Sequence, residues 1–559
     1  MGVLKIFFIF IVLISAIPCS AGTTILVSAY GDGTCTKANV DLAIADAVSG
    51  DTVVCPNADL TWAASVTIPA DKAIIFQGQG IGNTVISFGS IATMLSFGGG
   101  TRVTGFTFNT GRLSPTGRDW RIDHCRIEGN TNVFGDRLIA QGQVENENIT
   151  GVIDHNEFFN TRILVYAYSN IMANAAWARP LGLGTGEAVY IEDNDFKFDA
   201  GPEEQQVLNQ AVDSNYGGSY VVRYNTFRDA GVYTHGIHGP NRASRKWEVY
   251  NNVFTAYQVD YRGITEAVFA GMMRGGTGVW FNNELVGGSG TGAGQWRYTK
   301  IAIDLQRSCT SYTTSGKCDG SSAWDGNTGS GDATGYPCRD QIGRSNDAVL
   351  WISSPEGEYT QVLDPAYSWN NYRYPTETDR TNKTNGVAFS FDNEDLCAAQ
   401  TAQIVSGVDY VNSATPKPGY TPYYYPHPLQ DQVVPTMVSA TIDSTGGFIT
   451  FRGSENLLPT ISTGFVLTLS GGAATATYSS GTGTAYLVYS LSRTVASGET
   501  GTYDYTQPGN GIEDSSGNDL ASITGGAITN NSTSSGAKHQ MGAGPTVQSG
   551  VGSTVQWFE

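Results

Sequence analysis

Basic side chains are concentrated in one short segment, residues 233–248, of a chain that otherwise has few of them. The segment holds two of the six histidines and three of the 32 lysines and arginines, namely His235, His238, Arg242, Arg245 and Lys246. Arginines can grip a carboxylate through paired hydrogen bonds, and a histidine, or a lysine with a lowered pKa, can take or give a proton. The segment is therefore predicted to catalyse β-elimination beside a carboxylate. A turn whose bases offset nearby acids is the alternative.

A second group of candidates occupies one position of a repeated pattern: apolar, two variable residues, Asn, one variable residue, apolar. The pattern occurs at residues 122–127, 153–158, 191–196, 222–227, 249–254 and 280–285, with Cys replacing Asn in the first copy. Two residues before that Asn or Cys stand Asp123, Asp154, Glu192, Arg223, Tyr250 and Phe281.

If the copies form neighbouring strands, equivalent residues lie about 4.8 Å apart. Three adjacent carboxylates at that spacing would repel one another unless a cation neutralised them. We therefore expect Ca²⁺ to be bound by Asp123, Asp154 and Glu192, with Arg223 next in the column and Tyr250 in contact with substrate. The alternative is a solvent-facing strand position at which any polar residue is tolerated.

Further substrate contacts are expected from two residues outside the repeat. Arg274, together with Arg262, would extend a basic groove along the same edge. Trp324 lies in a Gly/Ser-rich insertion and could stack on a sugar ring, or could pack beneath its own loop.

The repeat also predicts the fold that must position these residues. Each copy reads as two short strands around a turn, and no copy can bury its apolar side alone. Stacked as coils, the copies would share a continuous core, with the Asn in a left-handed turn conformation and hydrogen-bonded to the adjacent coils as a ladder. An antiparallel sandwich is the alternative, although its hairpins usually recur about every 8–12 residues.

Residues 39–54, Asn-Val-Asp-Leu-Ala-Ile-Ala-Asp-Ala-Val-Ser-Gly-Asp-Thr-Val-Val, resemble the N-terminal end of pectate-lyase-like right-handed parallel β-helix proteins. In that family a short amphipathic helix, here with Leu42, Ile44 and Val48 on its apolar side, covers the open end of the solenoid. The resemblance covers roughly residues 24–430. It implies that carboxylate-bound Ca²⁺ neutralises a uronate and that a nearby basic residue, here Arg223, removes the proton on the adjacent carbon.

The polygalacturonase-type hydrolases are β-helices too, and the His-Gly pairs of residues 233–248 faintly resemble their motifs. That family needs clustered aspartates, and the sequence has no matching set near this segment. Because paired carboxylates are essential to glycoside hydrolysis, hydrolysis is the weaker enzymatic interpretation.

The composition restricts the partners of the chain. With 32 Lys and Arg against 51 Asp and Glu, the net charge is 32 − 51 = −19, which argues against nucleic acid and anionic membrane surfaces. The 69 glycines and the low charged fraction of 15% are typical of a turn-rich secreted β protein.

The N-terminus predicts export. Lys5 precedes a short apolar run that ends in small residues, so residues 1–21 are expected to be a signal peptide cleaved after Ala21, with lipidation of Cys19 as the alternative. Export permits disulfides. The expected pairs are Cys35 with Cys55, Cys318 with Cys338, and Cys309 with Cys397, leaving Cys125 buried and unpaired.

Three further segments follow the signal peptide in this interpretation. Residues 22–432 form the β-helix. Residues 433–529, with frequent Gly/Ser turns between alternating strands, resemble bacterial surface Ig-like modules. Residues 530–559 are a flexible Gly/Ser-rich tail.

The sequence as a whole predicts a secreted or cell-surface bacterial protein, extracellular or periplasmic, that acts on acidic polysaccharide, with a lyase as the leading function. Its partner would be a polysaccharide or cell-surface glycan. Two alternatives stay open: a non-catalytic adhesin, glycan-binding or matrix protein, and a polysaccharide hydrolase.

Overall fold

The computed structural model divides into two compact units, residues 1–423 and 424–559. The structure describes residues 23–90, 92–129, 136–142, 148–168, 177, 180–198, 210–236, 242–256, 270–287, 301–303, 340–345, 362–393, 404–430, 435–459, 465–482, 484–507, 511–514 and 520–534.

The first unit is built from three long sheets whose strands are parallel, with one antiparallel exception. The first sheet contains Thr24–Leu26, Thr52–Val54, Ile75–Gln77, Arg102–Thr104, Trp120–Asp123, Gly151–Asp154, Val189–Glu192, Ser219–Arg223, Lys246–Tyr250, Thr277–Phe281, Ala366–Trp369 and Tyr410–Asn412. The second contains Ala58–Trp62, Thr84–Phe88, Thr107–Asn109, Arg126–Glu128, Glu157–Phe159, Asp195–Lys197, Thr226–Arg228, Val253–Ala256, Glu284–Gly287, Tyr372–Tyr374 and the antiparallel Val387–Ala388. The third contains Val66–Thr67, Thr93–Phe97, Arg112–Pro115, Asp136–Gln141, Arg162–Tyr166, Gln210–Asn215, Gly231–Tyr233, Gly271–Met273, Ile301–Ile303 and Phe391–Asn393.

The chain visits the three sheets in turn, so each circuit is one coil of a parallel β-helix, and the predicted fold class is confirmed. The repeat is in register: Ile122 pairs with Ile153, and Ile153 pairs with Ile191. These residues are buried, and on the second sheet Phe158, Phe196, Phe227 and Phe254 form a stack with ring centroids 4.7–4.8 Å apart. The stacking of like residues between coils produces the continuous core.

The predicted asparagine ladder is present at the corner between the first and second sheets. The Oδ1 of Asn156 accepts from the backbone N–H of Cys125 at 2.9 Å, and the same contact links Asn156 to Asn194 and Asn194 to Asn225 at 3.0 Å. Equivalent contacts continue through Asn252, Asn283 and Asn371. The sequence pattern does not identify Asn371, because Ser368 and Arg373 occupy its two apolar positions and 88 residues separate it from Asn283.

The left-handed residue of this corner is not the ladder Asn, and that detail of the prediction is wrong. Positive φ angles of 50–58° occur one residue earlier, at His124, His155, Asp193, Tyr224, Asn251, Asn282 and Asn370. One residue therefore turns the backbone, and the next directs its amide into the ladder.

The solenoid is covered at its N-terminal end by the predicted helix, Lys37–Asp46, although its buried face differs from the expected one. Val40, Ala43 and Ile44 are buried, whereas Leu42 and Val48 are 52% and 64% exposed. The expectation for Leu42 and Val48 is therefore wrong. The helix is preceded by the short 3-10 turn Val27–Ala29.

Two cysteine predictions are confirmed. Cys35 and Cys55 form a disulfide, and Cys125 is buried and unpaired. The other predicted pairs, Cys318 with Cys338 and Cys309 with Cys397, lie outside the described residues, as does Cys19. The remaining small elements of the first unit are the strands Arg344–Ser345 and Val362–Leu363, the helix Glu377–Arg380 and the 3-10 turn Lys383–Asn385.

The second unit begins with the 3-10 turn Pro428–Gln430 and has its own core around Phe451, Leu487 and Tyr489. Its strands are Met437–Ile442, Phe448–Pro459, Phe465–Leu469, Ala476–Ser480, Thr484–Leu491, Gly501–Tyr505, Ile512–Asp514 and Ile523–Asn530, joined in one mainly antiparallel eight-stranded sheet. The boundary between the units falls nine residues before the expected one at 432/433. An Ig-like identity stays a prediction.

No helix in the described part of the chain is both long and apolar enough to cross a membrane.

The ladder makes a stability prediction. Asn225→Ala should lower the free energy of unfolding of the first unit by about 3 kcal/mol or more, because it leaves several buried backbone groups without partners at about 1–3 kcal/mol each. Asn225 Nδ2 donates to Ile191 O, Arg223 O and Asn252 Oδ1. Chemical denaturation measures the change. Thr226→Ala, an exposed neighbour, should change the value by only about 0.5 kcal/mol, and equal losses in the two variants would contradict the role of the ladder.

Candidate active site

The carboxylates at the repeat position two residues before the ladder are buried. Asp123, Asp154 and Glu192 are each 0% exposed, although strand alternation directs them away from the hydrophobic core. The expectation that this position faces solvent is therefore wrong for these three residues.

Each of these carboxylates is bound by an arginine from an adjacent coil. Arg102 donates to Asp123 at 2.7 and 2.6 Å, and Arg121 donates to Asp154 at 2.9 and 2.8 Å. Arg223 donates to Glu192 through Nε. Burial alone would raise the pKa of Asp123, but the hydrogen bond from Arg102 and the charge of Arg121 outweigh it and lower that pKa.

These residues do not fit a calcium site. Ca²⁺ requires about six to eight oxygen ligands, whereas the carboxylate oxygens here already accept hydrogen bonds from guanidinium groups. Within the described ranges, no group of three or more His, Cys, Asp or Glu residues is arranged to hold a metal ion. Arginines supply the positive charge that the sequence interpretation assigned to Ca²⁺.

Arg223 and Tyr250 are also enclosed rather than displayed to a substrate. Residues 414–423, here called the covering segment, reach this face of the first sheet. Arg223 Nη1 donates to the carbonyl of Tyr423 and to the hydroxyl of Tyr250, both at 2.9 Å. The guanidinium also lies 4.7 Å from the ring centroid of Tyr190. Arg223 therefore has a structural environment, and the predicted catalytic role for it is not supported by its position.

Three bases of the 233–248 segment are buried too, which corrects the expectation of an exposed basic loop. Arg242 forms a two-pronged pair with Asp340 at 2.6 and 2.7 Å. Arg242 and Arg245 lie 4.7 and 4.9 Å from the ring centroid of Trp177. Burial, reinforced by Arg242, lowers the pKa of Arg245 to about 10.

Lys246 has the lowered pKa expected of a catalytic base, but its position excludes it from that role. The pKa falls mainly because Lys246 is buried. Its Nζ donates to the carbonyl of Gly182 at 2.7 Å and lies 3.7 Å from Glu248. A substrate could reach this amine only by displacing residues around Gly182.

His235 is the predicted residue that the structure places in an accessible ionic cluster. It follows the strand Gly231–Tyr233, and its Nδ1 lies 2.8 Å from Asp213 on the neighbouring strand. Asp213 is fully buried, whereas the His235 side chain is 28% exposed. Because Nδ1 is directed at the buried Asp213, the opposite nitrogen, Nε2, is the one that can face a ligand.

Two arginines complete the charge balance around Asp213. Arg162 Nη1 lies 3.4 Å from Asp213 and its Nε donates to Asp136 at 2.7 Å. Burial alone would raise the pKa of Asp213, but the charges of His235, Arg162 and Arg274 outweigh it and lower that pKa. Asp213 is thus held as a carboxylate beside Nδ1 of His235.

The third sheet aligns further polar residues with His235. Tyr166 pairs with Asn215, Val212 pairs with Val232, and Tyr233 pairs with Met272. When this register is extended beyond the paired residues, four residues fall at equivalent outward positions of four successive coils, here called a column: Tyr166, Asn215, His235 and Arg274. All four side chains are partly exposed.

A second tyrosine borders this column. The rings of Tyr166 and Tyr216 have centroids 4.9 Å apart. Burial and the nearby Asp136 raise the pKa of Tyr166, so its hydroxyl stays protonated at neutral pH. The column thus combines a carboxylate-anchored imidazole, an arginine and a neutral phenol, which are the groups that proton transfer beside an anion requires.

The repeat pattern could not identify Asp213, Arg162, Tyr166 or Tyr216 because it describes only the first and second sheets. A period-2 reading of residues 210–215 would have placed Asp213 on the outer face. The predicted residues His238, Arg262 and Trp324 lie outside the described residues.

Comparisons with known proteins give little guidance. No family model matches the chain, and no curated protein matches it. A solved structure described as alginate lyase from Paenibacillus sp. str. FPU-7 is similar at 16% identity and a TM-score of 0.25, over 50% of this chain and 94% of that chain. So distant a likeness carries no argument about activity.

The buried pairs make a second stability prediction. Arg121→Leu should destabilise the first unit by about 3–5 kcal/mol, because the buried carboxylate of Asp154 loses both hydrogen bonds from its guanidinium partner and keeps the contact with His155. Thermal and urea unfolding measure this. Arg118→Leu is the matched control, because the Arg118–Glu187 pair is exposed and should contribute at most about 1 kcal/mol.

Chelator should leave the unfolding of the wild-type protein unchanged. A large chelator effect would contradict the conclusion that Asp123, Asp154 and Glu192 are neutralised by arginines rather than by a metal ion.

The lowered pKa of Asp213 predicts how the stability of the first unit changes with pH. Its folded-state pKa is below the ordinary value, so the stabilisation it provides is complete above about pH 4 and is lost as pH falls through the folded pKa. The difference in melting temperature between the wild type and Asp213→Asn should therefore be largest near neutral pH and shrink in acid. A difference that grows on acidification would contradict this assignment.

Proposed function

We propose that the chain is a carbohydrate-active protein that cleaves an acidic polysaccharide by β-elimination at the His235 cluster. The observation that carries the proposal is the contact of His235 Nδ1 with the buried carboxylate of Asp213, in a column that also contains Arg274 and Tyr166. An export signal and an extracellular location, predicted above, would bring it to such a substrate.

In the proposed reaction, His235 Nε2 removes the proton from the sugar carbon next to the uronate carboxylate. The electron pair of that C–H bond forms a C=C bond, and the bond to the glycosidic oxygen on the next carbon breaks. The departing oxygen takes a proton from Tyr166 or Tyr216. Arg274 and Asn215 lie beside the carboxylate, where negative charge grows in the transition state.

Arg274 is the local charge available to face an anionic substrate, against an overall charge of −19. Arg162 already pairs with Asp136 and Asp213, whereas Arg274 is partly exposed in the same column as His235. Long-range repulsion would slow the encounter with a polyanion and would be weakened by salt. We therefore expect activity to rise with moderate ionic strength before short-range binding is screened.

The two alternative functions, hydrolysis and non-catalytic binding, would require different residues at this cluster. Hydrolysis needs two accessible carboxyl groups across the scissile bond, whereas Asp213 and Asp136 both lie against Arg162. A non-catalytic adhesin would need no group of proton-transfer residues at one place. His155 has a similar carboxylate contact on the first sheet, so it is the combination of His235 with Arg274 and Tyr166 in one column that favours the lyase over either alternative.

The lyase makes an activity prediction. Incubation with a panel of uronate polysaccharides should produce the ultraviolet absorbance of an unsaturated uronate, and His235→Asn should reduce kcat by about 10²–10⁴-fold. Asp213→Asn should reduce kcat by about 10–100-fold, because it removes the partner that orients His235.

His155→Asn is the matched control, because His155 also contacts a buried carboxylate, that of Asp154, but does so on the first sheet. Its activity should equal that of the wild type. Saccharide products without unsaturated ends would indicate hydrolysis. No product from any folded variant or from the wild type across the panel would favour the binding protein.

A further inference from the structure

A cleft of about 400 Å³ opens beside the last ladder corners, where the covering segment meets the first sheet. Its volume lies at the lower end of the range of about 300–1,000 Å³ that is usual for small-ligand sites. Its lining includes Phe281, Trp369, Tyr420, Asn282, Asn370 and Pro416. None of the described residues that line it carries a charge.

The aromatic wall of the cleft is held rigidly. Phe281 and Trp369 stack with ring centroids 4.3 Å apart at 5°. Tyr420 stands nearly perpendicular to both rings, at 5.8 and 6.0 Å. Its hydroxyl donates to Glu248 at 2.7 Å, which fixes the ring from the opposite side. Phe281 also stacks on Tyr250, and Phe281 and Trp369 are only 5% and 7% exposed, so a small part of each ring faces the cleft in an arrangement formed before any ligand arrives.

The polar rim consists of two amides at equivalent positions of successive coils. Asn282 and Asn370 are exposed, and both have a φ of 54°. Asn370 Nδ2 donates to Asn282 Oδ1. This contact orients the pair, so that Asn282 Nδ2 is presented as a donor and Asn370 Oδ1 as an acceptor.

We propose that this cleft binds one uncharged sugar ring of a glycan chain. A pyranose ring offers C–H groups to aromatic and proline side chains, and hydroxyls that both donate and accept hydrogen bonds. The absence of charge in the lining matches a neutral sugar rather than a uronate. The cleft adjoins the first sheet, whereas His235 adjoins the third, so the inference does not depend on the proposed lyase activity.

The experiment titrates the full chain with neutral hexasaccharides of glucose, mannose and xylose, using saturation-transfer NMR and calorimetry. At least one should bind with a Kd of about 1 mM or below. The double variant Asn282→Gly, Asn370→Gly removes both amides and keeps the positive φ that glycine accepts readily. It should weaken binding about tenfold or more, as expected for the loss of two hydrogen bonds.

Asn251→Gly is the matched control, because Asn251 occupies the same corner position with a φ of 56° but does not line the cleft. It should bind as the wild type does. His235→Asn should also bind normally, which separates this inference from the lyase. Failure of every neutral hexasaccharide to bind at about 10 mM, or equal weakening by the Asn251 variant and the double variant, would overturn the proposal.

Discussion

The asparagine ladder is the constraint on which the rest of the first unit depends. Each rung ties the backbone N–H of one coil to the side chain of the next, from Cys125 to Asn371. A slip of one residue would move every core side chain to the outer face, so the ladder and the apolar stack enforce the same register. The columns of the candidate site exist because that register holds over many coils.

A second layer of interactions lies outside the hydrophobic core. On the first sheet, paired arginines and carboxylates fill this layer, and the covering segment adds the carbonyl of Tyr423 to Arg223 and the hydroxyl of Tyr420 to Glu248. On the third sheet the outer layer is more open at His235. Buried ion pairs contribute little net stability but are costly to break singly. One face of the solenoid is thus closed by charge pairing while another retains accessible groups.

The fold was predictable because the repeat places the same type of side chain at the same corner of each coil. The Ile and Asn positions and the Cys35–Cys55 bond follow from local pattern, whereas the terminal helix was implied by the family resemblance. The site was less predictable, since burial of Lys246 under Gly182, or of Arg242 against Asp340, depends on contacts distant in sequence. Alternation indicates which way Asp123 points but not whether Arg102 will cover it. Asp213 was missed because the third sheet lacks the Asn that marks the other two.

The residues with positive φ that precede Cys125 and each ladder Asn have a wider consequence. They are His, His, Asp, Tyr, Asn, Asn and Asn along the solenoid, so the backbone turn tolerates varied chemistry at this point. The core and the ladder are fixed by neighbouring residues, and the outward side chain is free to change without disturbing either. These positions are spaced by about one strand separation, 4.8 Å. They form a straight row of outward side chains, and a mutation can change one coil of the row at a time. Such a row suits a polymer whose units also repeat along a line.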